Sequence, residues 1–308
     1  GQITESSLQS IKNKIGIPYK QTICREFSEK VLDEFLRNDK MATAFIGSAG
    51  CGKSIIVLHL VHKFFLNENA PCKDDILLLL DGYALANILN EKYRLLDWIT
   101  DTLDFDGNRK DFKSLLQIIS SKNQKFILLI DSIKQLSTLK QSLYNLIDDI
   151  NRIVQLNDYN QSIKVIITCR TELWSLVSTK INQQPKLTKK WYNVNFDDQY
   201  LNISNIPGLS PVEMKAIIKN YDAQINLTKI KIKSNELYSL IKFPYFLHVF
   251  LSLKCPVKIL SIIDLFDFFT FFFSLIFFPY FFFFYYYYYY YYYYYYYYLL
   301  LFLSLNSS

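Results

Sequence analysis

The sequence predicts an α/β fold: a doubly wound, mostly parallel sheet with a small C-terminal α-helical lid. Three observations carry this. Short apolar runs alternate with longer stretches of helical periodicity, in the order β-α-β-α-β-α-β. Two of the runs, KDDILLLLDG (73–82) and KFILLID (125–131), are apolar without a break, as strands covered on both faces are. The loop GSAGCGKS (47–54) lies between ATAFI (42–46) and SIIVLHLVHKFF (54–65), a strand, a turn and a helix in succession.

Each element has its own signal. Residues 1–40 form a helical lead-in, in which Phe27, Val31, Leu32, Phe35 and Leu36 of REFSEKVLDEFLRND share one helix face. The core, residues 41–205, opens with ATAFI. Helical segments follow KDDILLLLDG near 83–90, 92–103 and 110–121. LKQSLYNLIDDINRIVQL (139–156) is helical, SIKVIITCR (162–170) is the next strand, and WYNVNF (191–196) is an edge strand. A helical lid domain covers 206–260. In SPVEMKAIIKNY (210–221), Ser210 is the N-cap, Pro211 opens the helix and Glu213 completes a capping box. The alternating KIKIK of Lys229 to Lys233 reads as an exposed edge.

The remaining segment, 261–308, is of a different kind. Tyr285 to Tyr298 is one uninterrupted run, and the last charge is Asp267. The stretch from Phe268 meets the length and apolarity criterion for a spanning helix. Uniform Phe and Tyr blocks nevertheless run against the interfacial placement of aromatics in real spans. The tail reads as a translated simple-sequence repeat, with membrane association expected only if it is a genuine segment.

Over 308 residues the net charge of +6 is too mild to signal nucleic acid. The densest basic patch, KLTKKWY (186–192), reads as a solvated loop; the other reading has it touch phosphates, with Trp191 or Tyr192 stacking. Cys24, Cys51, Cys72, Cys169 and Cys255 show no paired spacing, so reduced thiols and a cytoplasmic setting are expected. No signal peptide is visible.

The loop carries the chemistry. GSAGCGKS matches G-x-x-x-x-G-K-[ST] in full, and 3 of the chain's 8 glycines fall within it. Gly47, Gly50 and Gly52 let the backbone turn its N–H groups onto an anion. Lys53 reaches phosphate oxygens and Ser54 places a hydroxyl on Mg2+. Cys51 fills a free position of the motif. Asp131, ending FILLID at the carboxyl edge of the sheet, is the second candidate for the Mg2+ shell. VIITCRT (165–171) presents Thr168 and Arg170 at the same edge, and the forked charge of Arg170 suits a γ-phosphate.

GSAGCGKS, ILLIDS, KVIITCR and a helical segment containing IKFPYFL together resemble the STAND class of P-loop NTPases, in the NACHT and NB-ARC style and related to AAA ATPases. The resemblance covers about residues 20 to 253. It implies ATP or ADP with Mg2+ as cofactors and a nucleotide-dependent switch acting in signalling or assembly through protein partners or self-association. It implies that Arg170 contacts the γ-phosphate and that Pro244 lies against the base. Here the element around Pro244 is Lys242-Phe243-Pro244, without the family's glycine. Related ATPases also set an acid beside or just after the Mg2+-binding Asp. Here Ser132, Ile133, Lys134 and Gln135 follow Asp131, leaving Asp81, at the end of its own strand, as the candidate for orienting water. Slow or absent hydrolysis is therefore expected. The alternatives are an AAA-like mechanochemical ATPase and a membrane-tethered nucleotide-binding pseudoenzyme. No N/T-K-x-D element follows the fourth strand, which favours ATP over GTP.

Overall fold

The structure, a computed structural model, describes residues 2–90, 94–102, 112–133, 140–156, 162–192, 205–221, 227 and 235–252. The tail, Cys255 and the KIKIK segment lie outside them. The described residues fall into two units, the second holding only Leu227 and 235–240 and the first all the others.

The first unit is built on five parallel strands. These are β1 (Ala42–Gly47), β2 (Ile76–Asp81), β3 (Phe126–Asp131), β4 (Ile163–Arg170) and β5 (Trp191–Tyr192), in the spatial order β2-β3-β4-β1-β5. Side chains alternate across such a sheet, and the core splits accordingly. On one face Phe45, Leu79, Ile127, Leu129 and Ile166 pack with α1 (Gln2–Ile15), α2 (Glu26–Arg37) and α3 (Lys53–Val61). On the other, Ala44, Leu80, Leu128, Ile130 and Ile167 pack with α4 (Gly82–Asn90), α5 (Leu95–Thr102), α6 (Phe112–Ser121), α7 (Lys140–Leu156) and α8 (Thr171–Asn182). This is a doubly wound α/β architecture with an all-parallel sheet.

Two features of the sheet bear on the loop after β1. β5 pairs only with Ala42 and Thr43. Beyond it, Asn205 takes over the open edge. Its side-chain carbonyl accepts from the Ile46 N–H at 2.7 Å and its amide donates to the Ala44 carbonyl at 2.6 Å. The main-chain N–H groups of Asn205 and Ile206 both reach the Ile46 carbonyl. The last turn of β1 is thus satisfied on both sides, as buried backbone must be. On β4, the buried Lys164 ammonium donates to the carbonyls of Phe35, Asn38 and Lys40, tying the end of α2 to the sheet. Burial lowers its pKa to about 8.

Several sequence expectations need adjustment. The helix after the loop ends at Val61 and continues as a π-turn over His62–Leu66. The stretch 171–190, given no helix by the sequence reading, holds α8 and the short α9 (Pro185–Thr188). KLTKKWY is not a solvated loop: it runs from α9 into β5. Trp191 is buried against Trp174 at 6.0 Å, so its ring is not free to stack on a partner. The helix α10 (Pro211–Asn220) starts with the expected capping box of Ser210 and Glu213. Helices α11 (Asn235–Ile241) and α12 (Pro244–Ser252) follow. Cys24, Cys51, Cys72 and Cys169 are free thiols. Among the described residues no helix is long and apolar enough to cross a membrane.

Candidate functional site

Parallel strands bring their carboxyl ends to one edge, and strand order decides which residues meet there. β4 lies between β1 and β3. Its register sets Arg170 opposite Gly47 and Ile167 opposite Ile130, so Thr168 comes level with Asp131.

The loop between β1 and α3 takes its shape from two glycines. Gly50 (φ 80°) and Gly52 (φ 92°) are left-handed, a conformation that side chains oppose. Gly52 is the N-cap of α3 and no side chain caps it, so the first-turn N–H groups face out along the helix axis. The Lys53 ammonium donates to the carbonyls of Gly47 and Ser48 at 2.7 Å each and stands 3.5 Å from the Cys51 sulfur. Cys51 itself is buried.

Ser54 and Asp131 meet although 77 residues separate them: the Ser54 hydroxyl donates to Asp131 Oδ2 at 2.8 Å. Thr168 donates to Asp131 Oδ1 at 2.7 Å and accepts from the Ser132 N–H at 2.7 Å. Ser132 pays for this arrangement with a positive φ of 68°. Asp131 is 1% exposed, and burial pushes its carboxyl above the usual range against the pull of the two hydroxyls. A fully buried carboxylate supported mainly by neutral donors suits a hard cation. One carboxylate and one hydroxyl are also the sparse protein donor set that Mg2+ takes when waters and phosphate oxygens complete its shell. The residues present therefore fit Mg2+, which Ser54 and Asp131 could hold.

Asp81 sits in register with Asp131 but in other company. Its carboxylate accepts from Lys14 at 2.6 Å, from Ser10, and from the Ala84 N–H at 2.9 Å, where it caps α4. Though burial opposes ionisation, these donors hold its carboxyl below the usual range. Arg170, half-buried at the end of β4, has no hydrogen-bond or ion-pair partner for its guanidinium among the described residues. Pro244 opens α12 and lies against the loop itself: a Cβ placed on Gly52 would stand 3.3 Å from Pro244 Cγ.

The sequence reading missed Asn205 and Tyr245, whose polar groups grip the loop's flanks from distant segments. No local pattern marks either one. Lys14 and Ser10, on a helix some 70 residues before Asp81, could be found only once α1 was placed on β2.

No family model matches the chain, and no curated protein matches it in sequence. Among solved structures it is similar to a Walker-type ATPase of Pyrococcus abyssi, at 15% identity over 74% of this chain and 66% of that one, with TM-score 0.43. It is similar also to the ORC2 protein of Aeropyrum pernix, at 11% identity over 63% of this chain and 50% of that one, TM-score 0.39. For Cdc6p of Pyrobaculum aerophilum the figures are 14% identity, 62% and 46% coverage, and TM-score 0.33. The chain thus spans under two thirds of those structures. Likenesses of this depth assign no activity to it.

Proposed function

We propose that this chain binds ATP or ADP with Mg2+ and works as a nucleotide-dependent switch of the STAND type, hydrolysing slowly or not at all. The observation that supports this best is the contact of the Ser54 hydroxyl with the buried Asp131 carboxylate. It joins a phosphate-binding loop to a candidate cation ligand from another strand. In this reading the loop N–H groups and Lys53 hold the β- and γ-phosphates. Ser54 and Asp131 hold Mg2+, which neutralises phosphate charge when bound. Arg170, with no partner for its guanidinium among the described residues, answers to the γ-phosphate and makes the two nucleotide states differ. Thr168 is a positioning residue that orients Asp131.

Slow turnover follows from what surrounds Asp131. Ser132 and Ile133 succeed it, and the nearest strand-end carboxylate, Asp81, is engaged by Lys14 and Ser10. We therefore propose that Asp81 holds α1 and α4 to the sheet and does not orient water. Partners are proposed to be proteins or further copies of the chain.

The test is to purify the full chain, denature it and identify the released nucleotide by chromatography. ADP or ATP is expected, and Lys53→Ala should release none. A folded chain that carries no nucleotide and takes up none in the presence of Mg2+ contradicts the reading. Rapid multiple turnover would favour the AAA-like mechanochemical ATPase instead.

A further inference from the structure

The first turn of α12 touches the phosphate loop through its backbone. The Tyr245 N–H donates to the Gly50 carbonyl at 3.1 Å. A Cβ on Gly50 would stand 2.9 Å from Tyr245 Cβ, and one on Gly52 would stand 3.3 Å from Pro244 Cγ. Tyr245 is 49% exposed, and what faces Gly50 is its main chain, its Cβ and the near edge of its ring. The two left-handed glycines of the loop therefore meet adjacent residues of α12, Gly50 meeting Tyr245 and Gly52 meeting Pro244.

The consequence for the loop follows from peptide geometry. In a trans peptide the carbonyl and the next N–H point opposite ways. Holding the Gly50 carbonyl outward on Tyr245 turns the Cys51 N–H to the inside of the loop, where it lies 3.4 Å from the Ser48 carbonyl. That is the side on which a phosphate's donors must converge. The α12 turn is itself anchored. Just before it, the Lys242 carbonyl accepts from the Leu209 N–H at 2.7 Å. The buried Arg25 donates to the neighbouring Gly208 carbonyl at 3.0 Å and pairs with Glu213 of α10 at 3.1 Å. An unbroken chain of contacts thus runs from the loop through α12 to α10 and the segment before α2.

We infer that Pro244 and Tyr245 are positioning residues that strap the phosphate loop in its binding shape, so that docking of α12 and binding of nucleotide stabilise each other. This rests on the nucleotide-binding reading above. It gives Pro244 a role on the loop backbone. It also gives α12 a means of sensing the loop's occupancy without touching the nucleotide. By reciprocity, a ligand that prefers the strapped loop must tighten the strap.

The test is amide hydrogen exchange of the full chain, with and without MgATP, read in a peptide containing Tyr245. ATP affinity is measured alongside for the wild type, Lys53→Ala and Tyr245→Pro. A proline in the first helical turn is compatible with α12 and deletes the donor to Gly50, together with the Tyr245 ring that packs on Phe246. MgATP is expected to slow exchange at Tyr245 by about fivefold or more, the scale of a typical coupling. Tyr245→Pro should weaken ATP binding by about fivefold, the effect of one hydrogen bond, while far-UV circular dichroism stays unchanged. If Tyr245→Pro fails to fold, the exchange measurement on the wild type decides alone. Wild-type binding with unchanged or faster exchange at Tyr245 overturns the strap and leaves the nucleotide reading standing. A wild type that binds no better than Lys53→Ala overturns both.

Discussion

Two strands of this sheet end alike and behave as opposites. β2 closes on LLLLD and β3 on FILLID, and the closing residues Asp81 and Asp131 sit in register on adjacent strands. Asp81 has a lysine, a serine hydroxyl and a main-chain N–H on its carboxylate. Asp131 has two hydroxyls and, among the described residues, no direct cationic partner. The protein neutralises one charge internally, and the other is proposed to await an external cation. The difference teaches that a carboxylate at the carboxyl edge of a parallel sheet is a ligand only if the fold withholds a counterion. That depends on which helix covers the strand. Here α1 brings Lys14 and Ser10 to β2, whereas α3 brings Ser54 to β3.

The contrast can be broken by substitution. The largest effect on folding is expected at Asp81. Asp81→Asn strands the Lys14 ammonium and should cost about 1–3 kcal/mol, the scale of a hydrogen bond to a charged group. Thermal unfolding should register it as a lower Tm, with ATP affinity kept. Loss of ATP binding at an unchanged Tm would make Asp81 part of the site instead. Asp131→Asn, measured without Mg2+, should leave the stability within about 1 kcal/mol of the wild type or raise it, read as an unchanged or higher Tm. It removes a buried charge while keeping an acceptor for Thr168.

A finer test uses acid. Asp81, held below its ordinary value of 3.8, contributes stability that is present above that value and lost as pH falls through its lowered pKa. Asp131, pushed up, has the opposite sign: its ionisation works against folding as pH rises. His59 sets a separate background. Burial lowers its pKa to about 4 from 6.5, and its ring is bonded to Thr22 and stacked on Tyr19. Its contribution is full above pH 6.5 and is lost as pH falls towards 4. His59→Gln should therefore reduce the slope of the Tm profile between those limits, leaving the share of His248, whose pKa burial also lowers to about 4. A profile that keeps its full slope would place the titration elsewhere.

Much of this was legible in the sequence, for identifiable reasons. Uninterrupted apolar runs such as ILLLLD announce strands covered on both faces, and the spacing of GSAGCGKS fixes a turn that few other sequences can make. Ser54 and Asp131 were nameable because each lies at the end of such an element. Strand order was not legible, since periodicity says nothing about neighbours. The bridge from Thr168 to Asp131 exists only because β4 lies between β1 and β3. The helix α8 was hidden by polar residues spaced along TELWSLVSTKIN. Asn205 was hidden because it replaces a strand with a single side chain, and Tyr245 because its contact is made by the main chain.

The central claim, that Asp131 is the carboxylate left for a cation, is tested most directly by measuring ATP affinity against Mg2+ concentration in the wild-type chain and in Asp131→Asn. Mg2+ is expected to tighten ATP binding to the wild type and to have little effect on the variant. Equal tightening in both chains would contradict it.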